Sequence, residues 1–271
     1  MLGEAKPHTL EEMAYLTCRG GWPRATGKSG RAALRQAFDY VDAIAGHDIS
    51  RVDEVLRDPD IAMRIMKSLA RLQGTQSAVS AIRADIMPNA PRGTLHENTI
   101  YSYVGALKKI FVVEDMPAWC PNLRCKTPVR TGDTRYFTDP SIATAALGLG
   151  PGNLMDDLKT FGLVFETLVA RDLRTYAAAN DGKVSHYRDK SGLECDAVMH
   201  LRDGRYGLIE VKIGGERLIA EGRARLRRLA DEIDTKTMRE PSFRMIVVAE
   251  GEFAYEEPDG TLICPVGSLK P

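Results

Sequence analysis

Apolar side chains recur every three or four positions through the first 110 residues, the spacing typical of helices that bury one face. The pattern covers residues 9–18, 32–45, 61–72, 77–86 and 97–110, and it is also present around residues 52–56. Thr9 and Glu12 form a capping-box signature at the start of the first segment. The stretch Arg19-Gly20-Gly21-Trp22-Pro23-Arg24 predicts a turn that ends this helix. The sequence therefore predicts a helical N-terminal part.

The second half of the chain mixes both periodicities. Residues 156–179 carry the longest helical pattern, and residues 216–233 carry another. Strands are predicted at residues 185–187, 194–201, 206–213 and 243–249, and the end, residues 252–266, is predicted to be a hairpin-like edge. Shorter elements are predicted between the two halves: strands at 111–114 and 135–138, and a helix at 140–147 that begins after Asp139 and is stopped by Gly148. These patterns predict an α+β protein whose mixed sheet is flanked by helices.

The order helix, helix, turn, helix, strand over about residues 60–120 is that of a winged helix-turn-helix. The proline-rich residues 115–134 would form the wing and a linker. The third helix is expected to bury Ile100, Val104 and Leu107 and to present Asn98, Thr99, Ser102, Tyr103 and Lys109. Two interpretations remain open: this helix binds a DNA groove, or the module packs on another domain and contacts no DNA. The second is favoured because only Lys108 and Lys109 are basic on that helix, and affinity for DNA depends largely on phosphate contacts.

Composition narrows the class of protein. The chain has 271 residues, 44% of them hydrophobic and 27% charged, which is enough for two domains. We place these at residues 1–130 and 131–271. No apolar run approaches a membrane span and no signal-peptide pattern is present, so a cytoplasmic protein without membrane contact is expected. The five cysteines are odd in number and scattered, which favours free thiols.

The formal net charge is zero, but it is unevenly distributed. Residues 1–130 hold four more basic than acidic side chains, and residues 131–271 hold four fewer. Any nucleic-acid contact must therefore be local. On the predicted helix 216–233, Arg223, Arg225, Arg227 and Arg228 are expected to supply phosphate contacts. The triplet Gly27-Lys28-Ser29 resembles the tail of a phosphate-binding loop, but Trp22 stands where the first glycine is required, so a loop without an ATP site is predicted.

The candidate chemistry lies on the predicted strands 194–201 and 206–213. Period 2 places Glu210 and Lys212 on the same face of the second strand. The turn Asp203-Gly204 joins the two strands, so a hairpin brings Asp196 alongside Glu210. Two acids and a lysine are the composition of a site that binds a hard cation and cleaves a phosphodiester.

Glu166 is a further candidate because it stands at the edge of the apolar stripe of the helix 156–179. A carboxylate there costs desolvation free energy unless it is paired or binds a cation. Pairing with Arg171 or Arg174, or simple contact with solvent, is the alternative interpretation.

Three stretches together resemble the signature of PD-(D/E)XK nuclease-like domains. They are Phe165-Glu166, the stretch from Tyr187-Arg188 through Ser191-Gly192-Leu193-Glu194-Cys195-Asp196, and Ile209-Glu210-Val211-Lys212. The most similar version is that at the C-terminal end of prokaryotic AAA+ ATPases, in a domain of unknown function. Arg19-Gly20-Gly21-Trp22-Pro23 is similar to a Gly-Gly-aromatic-Pro segment near the start of that region, and Thr99 to Trp119 looks like its winged-helix segment. The resemblance covers nearly the whole chain.

This resemblance implies a restriction-endonuclease-like α/β fold for residues 131–271. It assigns Asp196 and Glu210 as metal ligands, Glu166 on the preceding helix as a third metal-binding acid, and Lys212 as the remaining signature residue. Mg²⁺ or Mn²⁺ is the expected cofactor, and Lys212 is expected to stay protonated and to act electrostatically. The implied function is that of a metal-dependent endodeoxyribonuclease that acts on DNA phosphodiester bonds.

An alternative function also follows, because this fold occurs in inactive versions. The chain would then be a non-catalytic DNA-binding or protein-interaction module that regulates or anchors an AAA+ ATPase domain or subunit. Full-length members of the family carry the ATPase domain ahead of this region. The chain is therefore expected to correspond to the C-terminal portion alone, without ATPase activity.

Overall fold

The structure is a computed structural model that describes residues 7–87, 95–120, 132–236 and 238–270. Its helices are α1 Leu10–Arg19, α2 Pro23–Thr26, α3 Gly30–Ala43, α4 Ile49–Arg51, α5 Pro59–Arg71, α6 Val79–Ile86, α7 Glu97–Lys109, α8 Pro140–Leu147, α9 Pro151–Asp156, α10 Leu158–Ala179 and α11 Glu216–Glu232, with a π-helix at Ile44–Asp48 and a 3₁₀ turn at Val266–Ser268. Its strands are β1 Val113–Met116, β2 Thr134–Phe137, β3 Gly182–Arg188, β4 Glu194–Leu201, β5 Tyr206–Lys212, β6 Phe243–Val248, β7 Tyr255–Glu256 and β8 Thr261–Pro265. The predicted α+β class is confirmed, and about half of the chain is helical.

The chain divides into two compact units. We call one the helical unit, which comprises the described parts of Ala14–Asp115 and Thr134–Asp156. We call the other the sheet unit, which comprises the described parts of Met1–Met13, Met116–Asp133 and Asp157–Pro271.

In the helical unit, the buried carboxylate of Asp139 fixes the start of α8. It accepts hydrogen bonds from the backbone N–H of Ser141 at 2.9 Å, from the Ser141 hydroxyl at 2.6 Å and from the backbone N–H of Gly21 at 3.0 Å. The indole N–H of Trp22 donates to the same Ser141 hydroxyl at 2.8 Å. The helix ends at Gly148, whose φ of 72° is the left-handed conformation that glycine adopts at low cost. The predicted start and stop of this helix are both confirmed, and the Gly-Gly-Trp segment packs against its cap.

The helix predicted around residues 52–56 is wrong, because the helical conformation ends at Arg51 and residues 52–58 form a loop. The guanidinium of the buried Arg57 organises this loop. Its Nη1 donates to the Ile49 carbonyl at 2.8 Å and to Asp53 Oδ1 at 2.6 Å, and its Nη2 donates to Asp53 Oδ2 at 3.0 Å. A buried cation needs such partners because an unpaired buried charge is costly. The hydrogen bonds of Arg57, and not the apolar spacing of the segment, therefore determine its conformation.

On α7, the residues Ile100, Val104 and Leu107 are buried as predicted. The expectation that Tyr103 faces outward is wrong, since the residue is only 5% exposed. Its hydroxyl accepts a hydrogen bond of 2.8 Å from the backbone N–H of Asp58. A tyrosine can bury its ring when its hydroxyl finds a partner, and apolar spacing does not reveal that partner.

The sheet unit contains a mixed six-stranded sheet with the order β3-β4-β5-β6-β8-β7. The pairs β3–β4, β4–β5 and β7–β8 are antiparallel, whereas β5–β6 and β6–β8 are parallel. Gly162 of α10 lies against Ile213, just beyond β5, and Gly222 of α11 lies against Glu210 of β5. Because successive residues of a strand point to opposite faces, the two helices cover opposite faces of the sheet.

The edge of the sheet at β3 is covered by the short segment 117–119. The backbone N–H of Trp119 donates to the His186 carbonyl at 2.6 Å, and that of His186 donates to the Pro117 carbonyl at 3.0 Å. The Trp119 ring lies 5.3 Å from the ring of Tyr206 and 6.0 Å from that of Tyr187. The segment therefore supplies main-chain partners to a strand edge that would otherwise be open.

Gly207 on β5 pairs with Phe243 on β6, and the phenyl ring lies over the glycine. A Cβ added at Gly207 would lie 2.1 Å from Cζ of that ring. We expect Gly207→Ala to lower the free energy of unfolding by about 1–3 kcal/mol, because the half-buried ring must move off the sheet. Urea unfolding measures this loss. Gly204→Ala cannot serve as the control, because Gly204 has a φ of 85° and alanine would be strained there. Gly207→Ala in a Phe243→Leu background should cost clearly less; an equal cost would contradict the explanation.

No helix in the described ranges combines the length and the apolar character that crossing a bilayer requires. Cys18, Cys195 and Cys264 are free and buried, whereas Cys120 is disulfide-bonded. The expectation of free thiols is therefore wrong for Cys120, since scattered spacing along the chain does not report distance in the fold. Cys125 and part of the predicted wing fall outside the described residues.

Candidate functional site

A β-bulge on β4 aims Asp196 toward β5. Ser185 pairs with Val198 and Tyr187 with Cys195, so Asp196 and Ala197 together face the single residue between them on β3. The backbone pairing of β4 with β5 extends to Ala197–Ile209. Beyond it, the backbone N–H of Val211 donates to Asp196 Oδ2 at 2.8 Å. The carboxylate thus continues the pairing where the backbone of the bulged strand turns away.

Glu210 and Lys212 project from the same face of β5 and meet Asp196. The Lys212 ammonium donates to Glu210 Oε2 at 2.6 Å, to Asp196 Oδ2 at 3.3 Å and to the Val211 carbonyl at 3.0 Å. The two carboxylates therefore lie within two hydrogen-bond lengths of each other. Asp196, Glu210 and Lys212, which the sequence predicted to converge, do so; we call them the acid–lysine cluster.

Glu210 is the most deeply buried member of this cluster, with 0% of its side chain exposed. Its Oε1 is buried and has no hydrogen-bond partner among the residues that the structure describes. Burial first, and then the charge of Asp196, raise the pKa of Glu210 to about 8, although Lys212 and Arg225 oppose the shift. An unsatisfied buried carboxylate oxygen is costly, and a cation or a proton would remove that cost.

Lys212 keeps its charge in this environment. Burial alone would lower its pKa, but the carboxylates of Asp196 and Glu210 outweigh burial and raise the pKa above the ordinary value for lysine. The ammonium is therefore a fixed positive charge at neutral pH and does not suit the role of a general base.

Helix α11 covers the cluster through Gly222. A Cβ at this position would lie 3.7 Å from Glu210 Cβ, 3.6 Å from Lys212 Cε and 3.1 Å from Ile246 Cδ1. The glycine thus lets the helix approach the strand closely. It also brings Arg225, which follows three residues later on the same side of the helix, above the acids.

Arg225 connects the cluster to a further acid, Glu194. Its Nη1 donates to Glu194 Oε1 at 3.1 Å and lies 3.8 Å from Glu210 Oε2. Glu194 Oε2 in turn lies 3.8 Å from Nη1 of Arg188. Arg225 and Glu194 are both partly exposed, so they form the solvent side of the site.

The buried thiol of Cys195 lies beneath the site and donates to the carbonyls of Ala197 and Ile209, both at 3.3 Å. Burial, and then the charges of Glu210 and Asp196, raise the pKa of this thiol well above its ordinary value. Cys195 therefore stays a neutral thiol that packs and supports the bulge.

Glu166 is half-buried on α10, one turn after Gly162 and on the same side of the helix. That side faces the sheet surface opposite to the one that bears Glu210. Across the described residues, no three His, Cys, Asp or Glu side chains are grouped so that they could hold a metal ion. The structure thus brings together Asp196, Glu210 and Lys212, and it does not join Glu166 to them in a three-acid group.

The two lysines that the sequence suggested for nucleic-acid binding on α7 both contact acids. Lys108 forms an ion pair with Asp115, which also accepts from Arg135 Nε at 2.9 Å. Lys109 lies 3.5 Å from Asp53 Oδ2. Their charges are partly neutralised within the helical unit.

The four arginines of α11 point in different directions and differ in their partners. Arg227 is exposed, whereas Arg223 lies 2.9 Å from Glu257 and 3.3 Å from Asp259, Arg228 lies 3.0 Å from Glu232, and Arg225 contacts Glu194 as above. They do not form one continuous basic stripe. Phosphate contact by these residues stays a prediction.

Sequence reasoning did not assign roles to Glu194 and Gly222. Glu194 precedes Asp196 by two residues, and residues two apart on a strand point to the same face of the sheet. This spacing was a usable signal for Glu194. A glycine inside a helical pattern usually has a packing reason, which was the signal at Gly222. The bulge that re-aims Asp196 has no comparable signal in the sequence.

Two family models match the chain. A domain of unknown function (DUF8612) matches residues 10–153, and a second domain of unknown function (DUF4143) matches residues 161–269. The second is known as a C-terminal region of AAA-type ATPases. No curated protein and no solved structure matches the chain.

Proposed function

The chain belongs to the family described as a domain of unknown function, DUF8612, and we propose that this member is a metal-dependent nuclease-like protein that cleaves DNA phosphodiester bonds. One observation carries the proposal: Asp196 and Glu210 converge on adjacent strands, and the buried Oε1 of Glu210 has no hydrogen-bond partner in the described part of the chain. A buried carboxylate oxygen without a hydrogen-bond partner calls for an explanation, and a bound cation would supply one.

The donor set fits Mg²⁺ or Mn²⁺. Mg²⁺ is commonly held by one or two carboxylates and keeps several waters, so Asp196 and Glu210 suffice as protein ligands. Glu166, the third ligand expected from the resemblance, is not required for this count. The bound cation would polarise the scissile phosphate and help to ionise an attacking water.

The chain's own residues supply the remaining chemistry. Lys212 holds a positive charge beside both carboxylates, where it would stabilise negative charge that develops on the phosphate. The bulge and the hydrogen bond from Val211 fix the orientation of Asp196, and Gly222 keeps α11 close enough to shield Glu210 from bulk water. These features support a restriction-endonuclease-like interpretation of the sheet unit.

A winged-helix interpretation of the helical unit is supported by the order of its elements. Helices α5, α6 and α7 pack on one another and are followed by the two-stranded sheet of β1 and β2. An isolated antiparallel bridge joins Thr75, between α5 and α6, to Arg135 of β2. A strand between the first two helices that pairs with the wing is part of this motif's topology.

Nicking of supercoiled plasmid DNA by the purified protein with Mg²⁺ tests the proposal. We expect Asp196→Asn and Lys212→Gln each to lower the nicking rate by about a hundredfold or more, because each removes a charge that contacts the reacting phosphate or its metal. Asp203→Asn, a change of the same type in an exposed turn, should leave the rate unchanged. Equal nicking by all four proteins would assign the activity to a contaminant and remove the proposal.

The second candidate function is a non-catalytic module that regulates or anchors an AAA+ ATPase. The match to a C-terminal region of AAA-type ATPases favours it, as does the placement of Lys212 between the acids. It predicts a protein that unfolds cooperatively yet gives no calorimetric signal for Mg²⁺ or Mn²⁺. Metal binding that Asp196→Asn abolishes would count against it.

A further inference from the structure

Arg225 borders the acid–lysine cluster on its solvent side. It projects from α11 one turn after Gly222, where the helix packs closely over Glu210 and Lys212. Its Nη1 is 3.8 Å from Glu210 Oε2, and its side chain is 42% exposed. The guanidinium thus borders both the buried carboxylate and solvent.

When Glu210 is ionised, as a cation ligand must be, the charges around the site balance without a metal ion. Asp196, Glu210 and Glu194 supply three negative charges, and Lys212, Arg225 and Arg188 supply three positive ones. A divalent cation would bring two further positive charges into this group. At least one resident cation must then weaken its contact with Glu210.

The geometry indicates which of the two cations, Lys212 or Arg225, moves away from Glu210. Lys212 makes three hydrogen bonds, one each to Glu210, Asp196 and the Val211 carbonyl, and its side chain is only 15% exposed. Arg225 approaches Glu210 without a hydrogen bond and already donates to Glu194 at 3.1 Å. Moving Arg225 away from Glu210 therefore breaks fewer contacts than moving Lys212.

We propose that Arg225 is an internal counter-ion that regulates the site. In the metal-free protein it shares the charge of Glu210 with Lys212; when a divalent cation binds, it shifts onto Glu194 and becomes a contact for the substrate phosphate. Glu194 is the positioning residue that retains Arg225 above the acids. This inference rests on the proposed function, because it presupposes a cation held by Asp196 and Glu210.

The test compares Arg225→Gln with Arg227→Gln, which removes the same charge from the same helix. Residues two apart on a helix do not share a face, so Arg227 is a matched control. By titration calorimetry with Mn²⁺, we expect Arg225→Gln to tighten binding about five- to tenfold, since a competing charge beside the ligand is lost. Arg227→Gln should change it less than twofold, and Arg225→Lys should stay near the unaltered protein.

Fluorescence anisotropy of a labelled DNA duplex supplies the second readout, with Ca²⁺ as a cation that takes the same oxygen ligands. Ca²⁺ should raise the DNA affinity of the unaltered protein more than that of Arg225→Gln. The slope of log affinity against log salt should fall by about one in that variant, as for one lost phosphate contact. Tighter Mn²⁺ binding together with weaker DNA binding is a combination that loss of structure would not produce.

The outcomes separate the two ideas. If the unaltered protein binds Mn²⁺ and Arg225→Gln changes the Mn²⁺ affinity no more than Arg227→Gln does, the counter-ion role is overturned and the metal site stands. If neither the unaltered protein nor Arg225→Gln binds Mn²⁺, the metal site itself is absent and both ideas are overturned.

Discussion

Replacing Lys212 with methionine is expected to lower the free energy of unfolding by about 3–5 kcal/mol at pH 8, because it removes the shared partner of the carboxyl groups of Asp196 and Glu210. Glu210 is fully buried, and its closest remaining cation, Arg225, lies 3.8 Å away in a partly exposed position. Methionine preserves most of the volume, so the loss reports charge rather than a cavity. Urea unfolding of the full chain, followed by circular dichroism, measures it.

The sign of the pH dependence follows from the pKa of Glu210, which is raised in the folded protein. Between its ordinary value of 4.5 and about 8, the folded state holds a proton that the unfolded state releases. Stability from this group is therefore full below pH 4.5 and falls as the pH rises toward 8. In Lys212→Met the carboxyl resists ionisation further, so the difference from the unaltered protein should be larger at pH 8 than at pH 5.

Two variants make this prediction specific. Glu210→Gln combined with Lys212→Met should recover about half of the loss, since the fully buried charge is then gone and Asp196 keeps its hydrogen bond from the backbone N–H of Val211. Lys183→Met, at an exposed lysine on β3, should change stability by less than about 0.5 kcal/mol. A loss that is independent of pH and not recovered by the double variant would contradict the assignment of charge as the cause.

Replacing Gly20 with alanine is expected to lower the free energy of unfolding by about 2–4 kcal/mol, because the change introduces both steric overlap and backbone strain. Gly20 has a φ of 72°, and a Cβ there would lie 2.4 Å from both Asp139 Oδ1 and the Ser141 hydroxyl. These atoms form the buried cap of α8, so they cannot move without breaking its hydrogen bonds. Thermal unfolding monitored by tryptophan fluorescence is suitable, because Trp22 donates to the same hydroxyl.

Gly27 offers a matched control for this change. Its φ is −85°, and a Cβ added there would meet no atom within 4 Å. Gly27→Ala should therefore be neutral or stabilise the protein by less than about 1 kcal/mol through the unfolded state. Equal effects at the two positions would show that the cap of α8 is not what Gly20 protects.

The elements that the sequence predicted well are those whose signals are local. The helix Pro140–Leu147 has its cap at Asp139 and its stop at Gly148, and the hairpin from Glu194 to Lys212 has alternating residues and a short turn. Local chemistry decides such features, so the convergence of Asp196, Glu210 and Lys212 could be predicted before any coordinates.

The features that could not be predicted depend on distant partners. The loop at residues 52–58 forms around the buried Arg57, which also donates to the hydroxyl of Ser102 at 3.0 Å, 45 residues away. Tyr103 is buried because its hydroxyl meets the backbone of Asp58, a comparable distance along the chain. The pairing of Arg225 with Glu194 likewise depends on how closely α11 approaches the sheet, which Gly222 determines. The spacing of apolar residues indicates which face of an element is buried. It does not indicate which polar group of the neighbouring element lies opposite that face.

The segment along β3 also limits how copies of this protein could associate. A strand from a second molecule could pair at His186 only after displacing the segment whose Trp119 ring packs against Tyr187 and Tyr206. The opposite edge, β7, offers only the two residues Tyr255–Glu256, too few to template a long intermolecular ladder. The segment 117–119 at one edge and the short strand at the other therefore both disfavour growth of the sheet by addition of strands.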